Sequence, residues 1–263
     1  MADGRVLIIA GSDSGGGAGV QADIKTVTAL GGYAATAITA ITVQDTTGVH
    51  EIWPIPPRIV AAQARAVLAD IGADAIKIGM LGEAAAAVAD LLDDWPLIAV
   101  VLDPVVTAKG GATLAGAATR DLIRTRLMPK AALFTPNAPE AAALTGREVE
   151  TTDDLRRAGE ALLAAGCRAV LMKGGHIAGD TVVDLLITPA GEVRFESARQ
   201  RTRHTHGTGC TLASACAVGL AQSLGLADAV SRARAYVEGA IRLAPGYGAG
   251  AGPLDHGWPL RAR

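Results

Sequence analysis

The segment Thr205-His206-Gly207-Thr208-Gly209-Cys210-Thr211 runs directly into an alanine-rich stretch of helical composition. Gly207 and Gly209 can expose consecutive backbone N–H groups, and a helix start adds partial positive charge. Together with Thr208 they form a nest suited to an anion such as a migrating phosphoryl group. Cys210 falls in the first turn of that helix, where thiol pKa values drop from about 8.5 toward neutrality, so thiolate chemistry comes within reach. The plainer reading of the same residues is a glycine-rich helix cap with a small packed side chain.

Other loops carry related chemistry. Gly11-Ser12-Asp13-Ser14-Gly15-Gly16-Gly17-Ala18-Gly19 lies between a strand-like and a helix-like run, so its backbone can approach a ligand closely. No lysine and hydroxyl pair follows its last glycine, which excludes a Walker-type phosphate loop. Gly17, Gly19 and Ala22 match the small-residue fingerprint of an NAD(P) dinucleotide site, with Asp45 near the end of the second strand. Residues 11–16 intervene, however, and displace the pyrophosphate position. Asp103-Pro104-Val105 and Asn137-Ala138-Pro139-Glu140 follow two more strand-like runs, and carboxylates there can hold a hydrated magnesium ion bridging phosphates. If Pro139 opens a short helix, Asn137 and Glu140 are simply its caps. Asn137 is the only asparagine in the chain, and of five lysines Lys109 and Lys173 each precede a glycine pair, a setting suited to phosphate contacts.

These loops need a frame. Short β-rich runs at 6–10, 35–43, 75–78, 98–102, 131–134 and 169–172 alternate with helical stretches at 18–30, 57–71, 83–92, 116–127 and 153–164, which predicts a mainly parallel sheet covered by helices. Runs at 181–187 and 192–196 around Pro189-Ala190-Gly191 predict a hairpin that adds antiparallel edge strands, followed by two long helices from about 209 and 227. No linker rich in proline, serine or charge divides the chain, so residues 1–263 are expected to form one domain.

Composition narrows the function classes. A net charge of −2 and 3% aromatic residues exclude a basic nucleic-acid scaffold and make aromatic stacking a minor source of binding. Cys167, Cys210 and Cys216 show neither paired nor metal-ligand spacing, which points to a reducing compartment and against structural zinc. No apolar run reaches about 18 residues, so no membrane span is expected, and the chain is read as cytoplasmic.

The loops together resemble the ribokinase superfamily, and within it the hydroxymethylpyrimidine and phosphomethylpyrimidine kinases of thiamine biosynthesis. The resemblance rests on AGSDSGGGAGVQADIKT at 10–26, TAITVQDT at 39–46, KIGML at 77–81, LDPV at 102–105, TPNAPEA at 135–141, LMKGGH at 171–176 and THGTGCT at 205–211. It implies a ribokinase-like three-layer α/β fold and ATP-dependent phosphorylation of 4-amino-5-hydroxymethyl-2-methylpyrimidine and then of its monophosphate. Sugar kinases of the superfamily place an aspartate base where Cys210 stands, whereas the vitamin-kinase branch includes members with cysteine. The resemblance further implies that Gln44 hydrogen-bonds the aminopyrimidine with help from Asp23, beside Gly11 and apolar walls at Val43, Met80 and Val105. It puts ATP at Asn137, Lys173, Thr205 and Thr208, magnesium at Asp103 and Glu140, the transferred phosphoryl at Gly207 to Cys210, and Lys109 on a flap. A homodimer is implied as well, since the family is commonly dimeric and edge strands need protection. Gly15 and His204 depart from the usual serine and asparagine. The competing readings are a pyridoxal or pyridoxine kinase and an NAD(P)-binding Rossmann protein.

Overall fold

The computed structural model describes residues 4–106 and 116–261. Nine strands form one sheet in the order β3-β2-β1-β4-β5-β6-β7-β8-β9. They are β1 Arg5–Asp13, β2 Tyr33–Gln44, β3 Val49–Pro54, β4 Ala75–Ile78, β5 Ala99–Leu102, β6 Leu133–Phe134, β7 Val170–Met172, β8 Thr181–Thr188 and β9 Gly191–Ala198. Strands β2, β1, β4, β5, β6 and β7 are parallel neighbours, and β8 and β9 add the expected antiparallel edge. The opposite edge was not anticipated: β3 pairs antiparallel with β2. None of its residues is buried, so its sequence lacks the apolar alternation by which a core-facing strand is read.

The central strands present apolar side chains to both faces. Leu7 and Ile9 of β1 join one buried cluster, while Val6, Ile8 and Ala10 join the other. Helices α2 (Pro57–Asp70), α3 (Ala85–Asp94) and α6 (Thr152–Ala164) supply the first cluster; α1 (Gly19–Ala29), α7 (Thr208–Ala221) and α8 (Leu226–Arg242) supply the second. Helix α2 starts with proline at its first position and buries Val60, Ala64 and Leu68 at four-residue spacing. In α7 alanine, glycine and cysteine let α8 approach closely: a Cβ on Gly219 would lie 2.8 Å from Ala229 Cβ. The predicted helix at 116–127 begins as α4 (Ala117–Leu122) and widens into a π turn over Ile123–Leu127. The short helix opened by Pro139 exists as α5 (Ala138–Thr145).

The parallel strands deliver their carboxyl ends to one edge, where Asp13 and Gln44 end β1 and β2 and Met80, Asp103, Asn137 and Lys173 follow β4, β5, β6 and β7. Strand order reverses about β1, and ligands of open α/β sheets bind beyond the carboxyl ends at such a point.

Beneath this edge lies an ion pair that the apolar pattern does not disclose. Lys77 Nζ on β4 is 2.7 Å from Asp23 Oδ2 on α1, and both side chains are fully buried. Ser214 Oγ on α7 donates to Asp23 Oδ1 at 2.7 Å, so three elements are tied at one carboxylate. Burial alone would lower the Lys77 ammonium, but Asp23, Cys210 and Asp103 together outweigh it and raise it. Removing one partner leaves an uncompensated buried charge. Lys77→Met is therefore expected to destabilise the fold by about 3–5 kcal/mol in denaturant titrations, and Lys77→Met with Asp23→Leu to recover much of that loss. A single-variant loss below about 1 kcal/mol would show that the pair does not hold these layers together.

Candidate functional site

Two helix starts meet at the carboxyl edge of the sheet. Gly207, with φ +82°, is the N-cap of α7, and a Cβ there would lie 1.8 Å from Gly17 O in the loop leading to α1. That contact of backbone on backbone requires glycine. Gly19, at φ +57°, opens α1. The positive ends of both helices thus face the same space.

That space is a cavity of about 910 Å³. It brings together Gly11, Gln44, Met80, Asp103, Val105, Asn137, Glu140, Lys173, Thr205, Gly207, Thr208, Gly209 and Cys210 from the sequence reading. Met80 packs directly on Gly11, where a Cβ would meet its terminal methyl at 2.4 Å. Lys109 lies outside the described residues.

Two expected contacts are corrected. Asp23 is fully buried, is held by Lys77 and Ser214, and does not line the cavity, so it acts beneath the site rather than on a bound ring. Val43 is 48% exposed and also does not line it. Side chains alternate along a strand, so Thr42 and Gln44 reach the cavity while Ile41 and Val43 face outward.

The thiol expectation is corrected as well. Cys210 keeps some exposure to the cavity, but the surrounding protein desolvates it and pushes its thiol up to about 11, against the lowering field of Lys77. At neutral pH only about one thiol in ten thousand would be ionised. Cys167 and Cys216 are buried packing residues.

The first glycine loop satisfies itself. The Asp13 carboxylate accepts from Gly15 N at 2.8 Å, Gly17 N at 3.1 Å and Ala18 N at 2.8 Å. A dinucleotide pyrophosphate would need those amides, which removes the Rossmann alternative. His206 Nε2 lies 2.8 Å from Asp13 Oδ2 and 3.0 Å from the Gln44 amide nitrogen. The sequence reading assigns Asp13 and His206 no role. An aspartate opening a run of glycines is the signal that a loop nest carries its own anion.

Charge concentrates opposite α7. Lys173 Nζ is 2.7 Å from Asp103 Oδ1 and 3.8 Å from Glu140 Oε2. Burial alone would lower Lys173, but Asp103 and Glu140 raise it. Asn137 and Glu140 do cap α5, each side chain accepting from the other's backbone N–H at 2.9 and 2.8 Å. The same residues line the cavity, so capping orients them without withdrawing them. Burial, with only partial relief from Lys173, pushes Glu140 up to about 7. Two carboxylates sharing one ammonium leave an excess of negative charge, and such hard oxygen donors fit a partly hydrated magnesium ion. Among the described residues no cluster of three or more His, Cys, Asp or Glu could hold a metal unaided, so phosphate and water would complete the shell.

Residues 13–255 match the family profile described as phosphomethylpyrimidine kinase. The chain is 50% identical over 257 residues to a hydroxymethylpyrimidine/phosphomethylpyrimidine kinase of Streptomyces coelicolor, covering 97% of this chain and 95% of that one. It is 44% identical over 257 residues to the Escherichia coli (strain K12) enzyme of the same description, covering 96% and 97%. Among solved structures, Bacillus subtilis pyridoxal kinase in an ADP complex superposes with a TM-score of 0.91 at 32% identity over 100% of both chains. A phosphomethylpyrimidine kinase from Clostridium difficile 630 gives 0.80 at 38% identity, covering 90% and 99%.

The raised Glu140 has a consequence for stability. The folded chain binds this proton more tightly than the unfolded one, whose carboxyl keeps its ordinary value of 4.5, so stability falls as pH rises from about 4.5 to about 7. Glu140→Gln, which stays neutral, is expected to flatten that slope in melting curves of the ligand-free protein. A wild-type slope that survives the substitution would assign it to other groups.

Proposed function

The chain belongs to the phosphomethylpyrimidine kinase family, and from that premise we propose how its cavity carries two successive phosphorylations. The enzyme transfers a phosphoryl group from ATP to 4-amino-5-hydroxymethyl-2-methylpyrimidine, and a second one to the resulting monophosphate. The observation that carries this reading is that Gln44 and the first-turn amides of α7 line the same cavity, whose 910 Å³ is near the upper end for a single ligand. The acceptor ring lies against Gly11, Met80 and Val105 with Gln44 at its polar edge. A buried amide paired with ring nitrogen and amine selects strongly, because an analogue lacking them leaves it unsatisfied.

ATP occupies the rest of the cavity. Its base meets the apolar side chains Val182, Val237 and Ile241, and its phosphates pass Asn137, Thr205 and Lys173 toward Gly207, Thr208, Gly209 and Cys210. The first-turn amides of α7 and the Lys173 ammonium neutralise charge on the moving phosphoryl group, which is most of what this chemistry requires. Asp103 and Glu140 would hold a hydrated magnesium ion, which when bound would offset polyphosphate charge.

Cys210 faces the acceptor hydroxyl and, in the fraction present as thiolate, takes its proton. An alcohol must lose a proton during attack, whereas a phosphate monoester with a second pKa near 6 is already mostly ionised. Since the thiol sits at about 11, the alcohol step should accelerate with pH from neutrality upward while the monoester step stays flat. Cys210→Ala should slow the first step by about 100- to 10,000-fold and the second only a few-fold. Single-turnover rates with the pyrimidine alcohol, its monophosphate, pyridoxine and ribose test this together with acceptor identity. Equal losses in both steps would leave Cys210 a packing role, and preference for pyridoxine would favour the pyridoxal-kinase reading.

Residues 1–263 act as one catalytic unit in the cytoplasm and pair as a homodimer. Among the described residues no helix is long and apolar enough to cross a membrane. Ile41, Val43 and Trp53 share one exposed face of the β2–β3 ribbon, with Trp53 63% exposed, and among the described residues the far side of β3 pairs with no other strand. A second copy covering that face protects the edge. Trp53→Glu is then expected to convert dimer to monomer in sedimentation experiments, whereas an unaltered sedimentation coefficient would place any interface elsewhere.

A further inference from the structure

Asp13 and His206 line the cavity without a part in the transfer chemistry above. Burial disfavours charge on Asp13, yet the hydrogen bond to His206 and those from Ala18 and Gly15 outweigh it and hold the carboxyl below the usual range. At neutral pH Asp13 is therefore an ionised group that can only accept. The proton between Asp13 Oδ2 and His206 Nε2, 2.8 Å apart, then resides on the imidazole nitrogen.

This settles how Gln44 must sit. Its amide nitrogen lies 3.0 Å from His206 Nε2 and its amide oxygen 3.3 Å from Thr42 Oγ1. Thr42 Oγ1 also lies 2.9 Å from Ser12 O, which can only accept, so its single hydroxyl proton goes there and a lone pair is left for Gln44. Donor would then meet donor at His206, and lone pair would meet lone pair at Thr42. The two ends of a glutamine amide are nearly equal in size and shape, so the donors and acceptors around it decide which end is which. Turned end for end, the amide donates to Thr42, and its oxygen shares with Asp13 Oδ2 the single Nε2–H of His206, a bifurcated contact in place of two opposed donors.

We propose that Asp13 and His206, with Thr42 at the other end, are positioning residues that lock the Gln44 amide with its oxygen toward the imidazole. They thereby set the hydrogen-bond pattern that the acceptor ring must match. The inference rests on the reading that Gln44 grips the ring. One N–H and one oxygen lone pair stay free, side by side and in fixed order. For a ring whose orientation is set by its reacting hydroxymethyl group, that order complements a ring nitrogen beside an exocyclic amine. It opposes a ring N–H beside a carbonyl. An amide free to turn over would accept both.

The test compares kcat/KM for the aminopyrimidine alcohol with that for its 4-oxo analogue in the full chain, for wild type, Gln44→Ala, His206→Phe and Thr42→Val. Wild type is expected to prefer the amine by at least about a hundredfold. In His206→Phe and Thr42→Val that ratio should fall by about ten- to a hundredfold, with KM for ATP within about twofold of wild type. Equal losses on both substrates, with the ratio preserved, would overturn the positioning role while leaving Gln44 as the ring contact. A ratio that Gln44→Ala leaves unchanged would overturn both readings. If His206→Phe does not fold, Thr42→Val carries the comparison. Imidazole ¹⁵N spectra of the unaltered enzyme give an independent readout: a protonated His206 Nε2 is expected, and an unprotonated one ends the proposal.

Discussion

The close contact between Gly207 and the carbonyl of Gly17 is the constraint on which the site depends. It presses the loop before α1 against the loop before α7, so two helix starts, each carrying partial positive charge, share one cavity. No side chain fits at Gly207, both because φ is positive and because Gly17 O occupies the space. Beneath the contact, Lys77, Asp23 and Ser214 tie β4, α1 and α7 together, so the elements that bear the loops are fixed by one buried carboxylate.

Electrostatics across the cavity is unevenly matched. Asp13 has more donors than it needs and stays charged inside its own glycine loop, whereas Glu140 has too few and is pushed up. The first arrangement is self-contained and shapes the acceptor end. The second leaves an excess of negative charge that a dication would neutralise. Cys210 lies between these ends, and desolvation outweighs the helix start and Lys77, the influences that would lower its thiol.

The parallel sheet, its two helical layers and the positions of nearly all elements were legible from alternating β-rich and alanine-rich runs, because each run buries apolar residues at its own period. Strand β3 was not, since it is an edge strand with no buried residue. Asn137 and Glu140 were legible in two ways at once. The capping box is present, and it sits on the cavity wall, so capping does not withdraw either side chain from the cavity.

By itself the sequence determined which residue types stand at the carboxyl ends of the strands, and its motifs were specific enough to place the chain in its family. Tertiary structure decided which of those residues reach the cavity and in what charge state. Val43 and Gln44 are neighbours in sequence, yet strand alternation turns only Gln44 inward. Asp23 reads as a ligand contact until Lys77, 54 positions away, and Ser214, 191 positions away, are seen to claim it. The physical reason is common to these cases: protonation and reach depend on burial and on partners distant along the chain, and neither is contained in a local pattern of residues.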